Sequence, residues 1–333
     1  MSGSTASDGE ESVDSTTVNV AGWHKRSCPG SQGPQQGFTD GNEILDSLEG
    51  DGIKDIPGIL KVNKLIGKGE FSAVYSCSME TLGNVAVKKF SLGVSLRSVM
   101  DVLQGLRHPN IVEVLKVNQS VPISIVLELC GPDLHQVLHG TAGADYPGVA
   151  HPEERLHAAS GIVDAVAYLH EHEILHRDIS SRSCLAALRP GPSSPALHFK
   201  LGEFTLARGV AASAMTQWTG SFAYMAPEVM EENNYGYPCD VFSVGILLHE
   251  TACRVPPYHG KCTPRLAIMV LSGLRPSDED VPAFPGRSDH RREELLAILA
   301  GCWVGEPEAR VSAAEAGEAL RGLLLPGGAR RGS

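Results

Sequence analysis

Two glycines and one lysine early in the chain have types and spacing that suit contacts to a phosphate. Gly67 and Gly69 lie in IGKGEFSAV, between two predicted strands, where backbone without side chains can approach a phosphate closely. Lys88 ends the run VAVK on the second strand, and the alternation of strand side chains places it on the face of Ala86. This pairing suits a slot for an adenine ring with a cation for phosphate oxygens. The alternative is a solvated lysine beside an ordinary glycine turn, which is the commoner environment of lysine.

Further polar motifs follow in a fixed order. The run LHRDISSRS holds a His-Arg-Asp triplet ending at Asp178, with Ser183 five residues later, and KLGEFTLAR and MAPE then supply Glu203 and Glu228. The order and spacing of these motifs are too specific for chance, and residues 58–325 resemble a protein kinase domain. This resemblance implies an α+β, two-lobed fold, with a small β-rich N-lobe carrying one helix and a larger helical C-lobe.

The resemblance also implies a role for each matching position. Asp178 would accept the proton of the substrate hydroxyl, Lys88 would hold phosphate oxygens, and Arg182 would complete the catalytic group. The expected cofactors are ATP and Mg²⁺, with Mn²⁺ as the alternative metal. The residues expected to contact the nucleotide are Ile66, Gly67, Gly69, Val74, Ala86, Lys88, Glu128, Cys130 and Leu185.

Three further matching positions have structural roles in the resemblance. Glu228 and Arg310 would form an ion pair, and the carboxylate of Asp240 would brace the catalytic loop. Arg177 is the cation expected to bind a phosphate added to the following segment. The candidate phosphorylation positions are Ser213, Thr216 and Thr219, although plain solvated loop hydroxyls would give the same pattern.

Four positions depart from the family pattern. Glu203 replaces a metal-binding Asp, Ser183 replaces a metal-binding Asn, Thr205 replaces a Gly, and Val99 stands where a helix Glu should pair with the lysine. Glu203 and Ser183 are still the expected metal ligands. Because Glu is one methylene longer than Asp, a second arrangement stays open. In that arrangement the carboxylate reaches Lys88 instead and is lost to the metal.

Two functions from different classes therefore remain. The first is a weak or atypical ATP-dependent protein kinase, and the second is a pseudokinase that binds nucleotide or scaffolds partners with little phosphotransfer. Arg182, four residues after the Asp, resembles tyrosine kinases, whereas GSFAYMAPE resembles the tyrosine-kinase-like group of serine/threonine kinases. Ser and Thr hydroxyls are the favoured substrates, and Tyr is the alternative.

Composition limits the partners and the compartment. The 333 residues have a formal net charge of −11, and this acidic balance argues against nucleic-acid binding. The eight cysteines include no Cys-x-x-Cys pair, and no apolar run is long enough to span a membrane. The polar, acidic start MSGSTASDGEES is not expected to act as a signal peptide. We expect a cytoplasmic protein, with the nucleus as the alternative, whose partners are ATP and a protein substrate or signalling partner.

Composition also divides the chain. Residues 1–55 are polar and acidic and are expected to be a disordered tail, and residues 326–333 a flexible end. The kinase-like domain is expected between them, with an N-lobe at 56–130 and a C-lobe at 131–325. Gly- and Pro-rich surface loops are expected at 139–151, 189–198 and 275–286.

Overall fold

The structure, a computed structural model, describes residues 53, 56–68, 72–90, 105–118, 123–140, 149–189, 196–204, 208–209, 222–231, 235–261, 263–284 and 290–325. Several positions singled out above lie outside these residues: Gly69, Val99, Thr205, Ser213, Thr216, Thr219 and nearly all of both expected tails. Within the described residues the expected α+β class is confirmed, since a β-rich lobe precedes a helical one.

The first lobe is a five-stranded antiparallel sheet in the order β1-β2-β3-β5-β4. Its strands are β1 (Ile59–Lys68), β2 (Ser72–Met79), β3 (Gly83–Phe90), β4 (Val114–Asn118) and β5 (Ser124–Glu128). Strand β3 lies at the centre, paired with β2 and β5, and residues on both of its faces are buried.

The two faces of β3 have different roles. Val85 and Val87 are fully buried and pack in a small apolar cluster that includes Tyr75. The alternate residues Ala86 and Lys88 lie on the opposite face, where they line a cleft between the lobes. The sheet therefore holds the one buried lysine of this strand toward the cleft.

The second lobe is built from helices. They are α1 (Leu134–His139), α2 (Pro152–Glu171), α3 (Pro227–Met230), α4 (Pro238–Cys253), α5 (Thr263–Leu271), α6 (His290–Cys302) and α7 (Ala313–Leu324). Short 3₁₀ turns lie at Phe222–Tyr224, Asp278–Asp280 and Pro307–Ala309. None of the described helices has both the length and the apolar character needed to cross a membrane.

Two of these helices form the centre of the lobe. Helix α4 has buried residues around its whole circumference, which is typical of a core helix. Helix α2 packs against it, and begins with Pro152 in the first turn and a capping box between His151 and Glu154. These rigid elements support the short strands that carry the polar loops.

Those short strands form two antiparallel pairs, of which only the second is a hairpin. Strand β6 (Ile174–Leu175) pairs with β9 (Arg208–Gly209), and β7 (Cys184–Arg189) pairs with β8 (Ala196–Leu201). The expected loop at 189–198 is therefore too long at both ends, because the β7–β8 ladder continues to the pair Arg189–Ala196. The paired residues 189 and 196–198 include no Gly or Pro, so the prediction extended the loop beyond the residues whose composition supported it.

A buried ion pair connects two distant parts of the helical lobe. Arg310 donates two hydrogen bonds to Glu228, at 2.7 and 2.8 Å, with side-chain exposures of 0% and 8%. The same guanidinium also donates to the carbonyl oxygens of Val304 and Pro238. The pair that the family resemblance implied is thus present, with nearly all of its donors used.

We expect Arg310→Leu to lower the free energy of unfolding by about 3–5 kcal/mol, because the buried Glu228 would lose its partner. The matched control is Arg321→Leu, which breaks a half-exposed pair with Asp164 and should cost at most about 1 kcal/mol. Urea unfolding of both variants measures the difference. Equal losses in the two variants would contradict this account.

Candidate active site

A cleft of about 650 Å³ lies between the sheet and the helical lobe. It collects most of the residues expected to contact a nucleotide: Ile66, Gly67, Val74, Ala86, Lys88, Glu128, Cys130 and Leu185. Arg182, Glu203 and Phe204 also line it. A partly apolar cleft of this size with a few polar groups is the usual form of a small-molecule site.

Lys88 and Glu203 form an ion pair across this cleft. The Nζ atom of Lys88 lies 2.6 Å from Oε2 of Glu203, and the two side chains are 7% and 45% exposed. One residue belongs to the sheet and the other follows β8 of the helical lobe, so the pair connects the two lobes. The second arrangement considered from the sequence, in which the longer carboxylate reaches the lysine, is the one observed.

The backbone around Glu203 is held in an unusual conformation. Its φ angle is 58°, in the left-handed region that non-glycine residues seldom adopt. Both neighbours hold it there. The amide of Gly202 donates to the carbonyl oxygen of Ser183 at 2.8 Å, and the buried ring of Phe204 packs edge-on against His176 at 5.0 Å. Nε2 of His176 also donates to the carbonyl oxygen of Gly202 at 2.7 Å.

The loop that carries Asp178 is anchored by a buried carboxylate. Asp240 on α4 is 1% exposed and accepts hydrogen bonds from the amides of His176 and Arg177, both at 2.9 Å. Nε2 of His170 donates to the same carboxylate at 3.0 Å. Burial alone would raise the pKa of Asp240, but the hydrogen bond and charge of His170, with the neighbouring His176, hold it below its usual value.

The hydroxyl of Ser183 forms its hydrogen bonds inside the loop that carries Asp178. Its hydroxyl accepts from the amide of Ser180 and donates to the carbonyl oxygen of the same residue, both at 2.9 Å, and the residue is 1% exposed. These bonds close a tight turn after Asp178. The hydroxyl therefore has protein partners at present, and its assignment as a metal ligand stays a prediction.

Two of the expected nucleotide contacts are Glu128, at the end of β5, and Cys130, two residues after it. Oε1 of Glu128 accepts from Lys200 Nζ at 2.5 Å and from the amide of Glu113 at 2.7 Å. Burial, with the charge of Glu128 adding to it, raises the pKa of the Cys130 thiol to about 12. Cys130 is therefore a protonated thiol at neutral pH, and the backbone amides and carbonyls of this segment are the strongest polar groups that it offers to a ligand.

Arg177 is the cation expected to bind an added phosphate. It precedes Asp178 in the anchored loop, and its guanidinium lies 5.5 Å from the ring centroid of Tyr235. Its φ angle is 69°, so it too has the left-handed conformation. The three hydroxyls it was expected to serve lie outside the described residues, so this regulatory role stays a prediction.

A second cavity, of about 330 Å³, lies on the other side of Arg182 and was missed from the sequence. Its lining includes His135 and Glu250, and His139 contacts the same carboxylate. The spacing of the two histidines in LHQVLH, four residues apart on one helix, was an available signal. The carboxylate that joins them is more than a hundred residues further along the chain, so the sequence alone could not identify it.

The comparisons with known proteins agree with this geometry. A family model described as the protein kinase domain matches residues 60–319. Serine/threonine-protein kinase 36 of Pongo abelii is 32% identical over 222 residues, covering 63% of this chain and 16% of that protein. Serine/threonine-protein kinase VIK of Arabidopsis thaliana is 31% identical over 266 residues, covering 74% of this chain and 56% of that protein.

A third relative is mitogen-activated protein kinase kinase kinase 7 of Homo sapiens, 29% identical over 266 residues, covering 77% of this chain and 40% of that protein. It belongs to the tyrosine-kinase-like group, so the resemblance to that group is confirmed. The chain spans less than two thirds of the length of each of these three relatives.

We expect Asp240→Asn to lower the free energy of unfolding by about 3–5 kcal/mol at pH 7, because buried donors would lose an ionised acceptor. The pKa of Asp240 is lower in the folded state than the unfolded value of about 3.9. Its stabilisation is therefore complete above about pH 5 and declines as the pH falls through the folded pKa. Urea unfolding from pH 7 to pH 3 should show the gap between wild type and variant shrinking. A constant gap would contradict the prediction.

Proposed function

Because the chain belongs to the protein kinase domain family, we propose that it is an ATP-dependent kinase of serine and threonine hydroxyls on proteins, with a low rate of phosphotransfer. The observation that carries the proposal is the cleft, in which an apolar slot and a buried lysine meet an acidic residue from the opposite lobe. A cytoplasmic or nuclear location is part of this proposal and rests on composition alone.

The residues of the cleft fit an adenine nucleotide. Val74 and Ala86 from the sheet and Leu185 from β7 line the same space, and they supply apolar surface for the two faces of a purine. Lys88, on the face of β3 that Ala86 shares, supplies a positive charge for phosphate oxygens. The volume of about 650 Å³ is sufficient for the whole nucleotide.

The catalytic step would depend on the anchored loop. When bound, ATP supplies the γ-phosphoryl group, and a divalent metal neutralises charge on its phosphates. Asp178 would accept the proton of the substrate hydroxyl, and Asp240 would hold the loop that orients it. Arg182 is exposed and lines the cleft, so its charge is available to a phosphate there. A protein substrate is the expected partner.

The low rate follows from the placement of the two expected metal ligands. Oε2 of Glu203 is engaged by Lys88, and the hydroxyl of Ser183 is engaged within its loop. Glu203 would have to turn from the lysine to hold Mg²⁺ or Mn²⁺ through Oε2, and Lys88 would have to turn from Glu203 to hold phosphate oxygens. Both exchanges keep opposite charges paired, but each requires the cleft to rearrange before chemistry.

The second candidate function is a pseudokinase, which binds nucleotide without appreciable phosphotransfer. The specific observation in its favour is the same ion pair, because the Lys88–Glu203 contact satisfies the lysine without any metal. The two functions can be distinguished by measuring whether nucleotide binding depends on a divalent metal.

We expect ATP with Mg²⁺ to raise the melting temperature of the full chain more than ATP alone, because Glu203 can then pair with the metal as Lys88 pairs with phosphate. At about 100 times its Kd, a nucleotide stabilises the fold by roughly 2.7 kcal/mol. Lys88→Met is the control, and it should abolish the shift. A shift of equal size with and without metal would favour the pseudokinase, and the absence of any shift would overturn nucleotide binding.

We expect Glu203→Asp to raise phosphotransfer to a generic protein substrate about tenfold, which corresponds to about 1.4 kcal/mol in the barrier. The shorter carboxylate should no longer reach Lys88 and should remain available to the metal. Glu203→Gln is the matched control: it also loosens the lysine but removes the charge, so its activity should fall. Asp178→Asn gives the background rate. Similar gains for Asp and Gln would show that the lysine, not the metal, limits the rate.

A further inference from the structure

Two histidines and one glutamate meet beside the second cavity, away from the nucleotide cleft. His135 and His139 lie one turn apart on α1, with ring centroids 4.8 Å apart, and Glu250 comes from α4. Oε1 of Glu250 lies 2.9 Å from Nε2 of His139 and 3.7 Å from Nδ1 of His135. Within the described residues, one ligand atom from each of the three lies within 4.8 Å of the other two.

The carboxylate at the centre of this cluster is held rigidly. Glu250 has a side-chain exposure of 0%. Its Oε2 accepts from the hydroxyl of Tyr224 at 2.5 Å, and its Oε1 accepts from the hydroxyl of Ser181 at 3.1 Å. Hydrogen bonds of this kind orient carboxylate ligands around metal ions in proteins.

We propose that His135, His139 and Glu250 bind one divalent transition-metal ion, with Zn²⁺ as the metal that the ligand set fits best. Two imidazoles and one carboxylate are a common donor set for zinc. Ligand atoms about 2.0–2.2 Å from a tetrahedral ion lie roughly 3.3–3.6 Å apart. The separations of 2.9 and 3.7 Å from Oε1 of Glu250 lie close to that range on either side, and the ligand atoms of the two histidines lie within 4.8 Å of each other. An ion would therefore draw the two imidazole rings toward the carboxylate.

The protons balance without any other reactant. In the structure Nε2 of His139 is within hydrogen-bond distance of Glu250, so it carries the proton of that bond. When the ion binds, Nε2 must present a lone pair instead, and its proton moves to Nδ1 through solvent or is released. The ion then replaces the proton between imidazole and carboxylate, and the buried negative charge of Glu250 remains compensated.

The ion would have access and a free coordination position. The side chain of His135 is 29% exposed, and it lines the cavity together with Glu250. Three protein ligands leave one tetrahedral position for a water molecule or for an anionic group of a bound protein. Arg182 lines both this cavity and the nucleotide cleft, so the metal site would lie next to the catalytic loop. Zinc binding is independent of nucleotide binding and holds for either proposed function.

The test is a titration of the metal-free full chain with Zn²⁺, followed by calorimetry. We expect one Zn²⁺ per chain in the wild type, and His135→Asn should weaken binding by more than about 100-fold, since loss of an outer hydrogen-bond partner alone costs about 10–100-fold. His139→Asn should have the same effect. The matched control is His157→Asn, an exposed histidine on α2, which should leave the affinity unchanged.

Two further measurements test whether a variant has unfolded and whether cysteine thiolates bind the metal instead. Thermal unfolding without metal shows whether each variant is folded, and His135, which is partly exposed, is the safest substitution. Co²⁺ in place of Zn²⁺ shows the ligand type, because nitrogen and oxygen ligands lack the strong near-ultraviolet band of a cobalt–thiolate bond. Equal affinities of wild type and folded His135→Asn, or a thiolate band, would overturn the site.

Discussion

The carboxylate of Asp240 is buried at the centre of the helical lobe, and it accepts hydrogen bonds from the backbone amides of two consecutive residues, His176 and Arg177. Two successive amides point at one acceptor only if the chain bends sharply, and Arg177 accordingly has a positive φ angle. This bend fixes the imidazole of His176, which in turn holds the carbonyl of Gly202 and the ring of Phe204. A single charge on the core helix α4 thereby determines where the acidic residue of the cleft can lie.

The position of Glu203 also explains why the cleft contains an ion pair instead of two separate charges. Glu203 is held between Gly202 and Phe204, and its side chain extends toward the sheet, where Lys88 is buried. One carboxylate and one ammonium at 2.6 Å satisfy each other in a partly dehydrated space. A phosphate that pairs with Lys88, or a metal that binds Oε2 of Glu203, would exchange partners with this pair, and the exchange would preserve the charge balance. The pair is thus compatible with the proposed nucleotide binding.

The order of elements and the motif positions follow from the sequence because they depend on local patterns. Alternation on β3 correctly places Lys88 beside Ala86, and the helical periodicity identifies α2 and α4. The extra methylene of Glu203 made its contact with Lys88 one of two arrangements open at the sequence level, but choosing between them required the positions of both lobes. The bonds of Ser183 to Ser180 and the meeting of His139 with Glu250 depend on how loops and helices pack. Such contacts produce no repeating pattern in the amino-acid sequence.

The Lys88–Glu203 pair also affects how this protein can be detected chemically. Reagents that acylate the lysine of a nucleotide cleft require an amine that is accessible and has given up its proton. The side chain of Lys88 is 7% exposed and its ammonium is held by a carboxylate, so this group must leave its partner before it can react. We therefore expect weak acylation of Lys88 in such labelling experiments, even if the same cleft binds a reversible ligand.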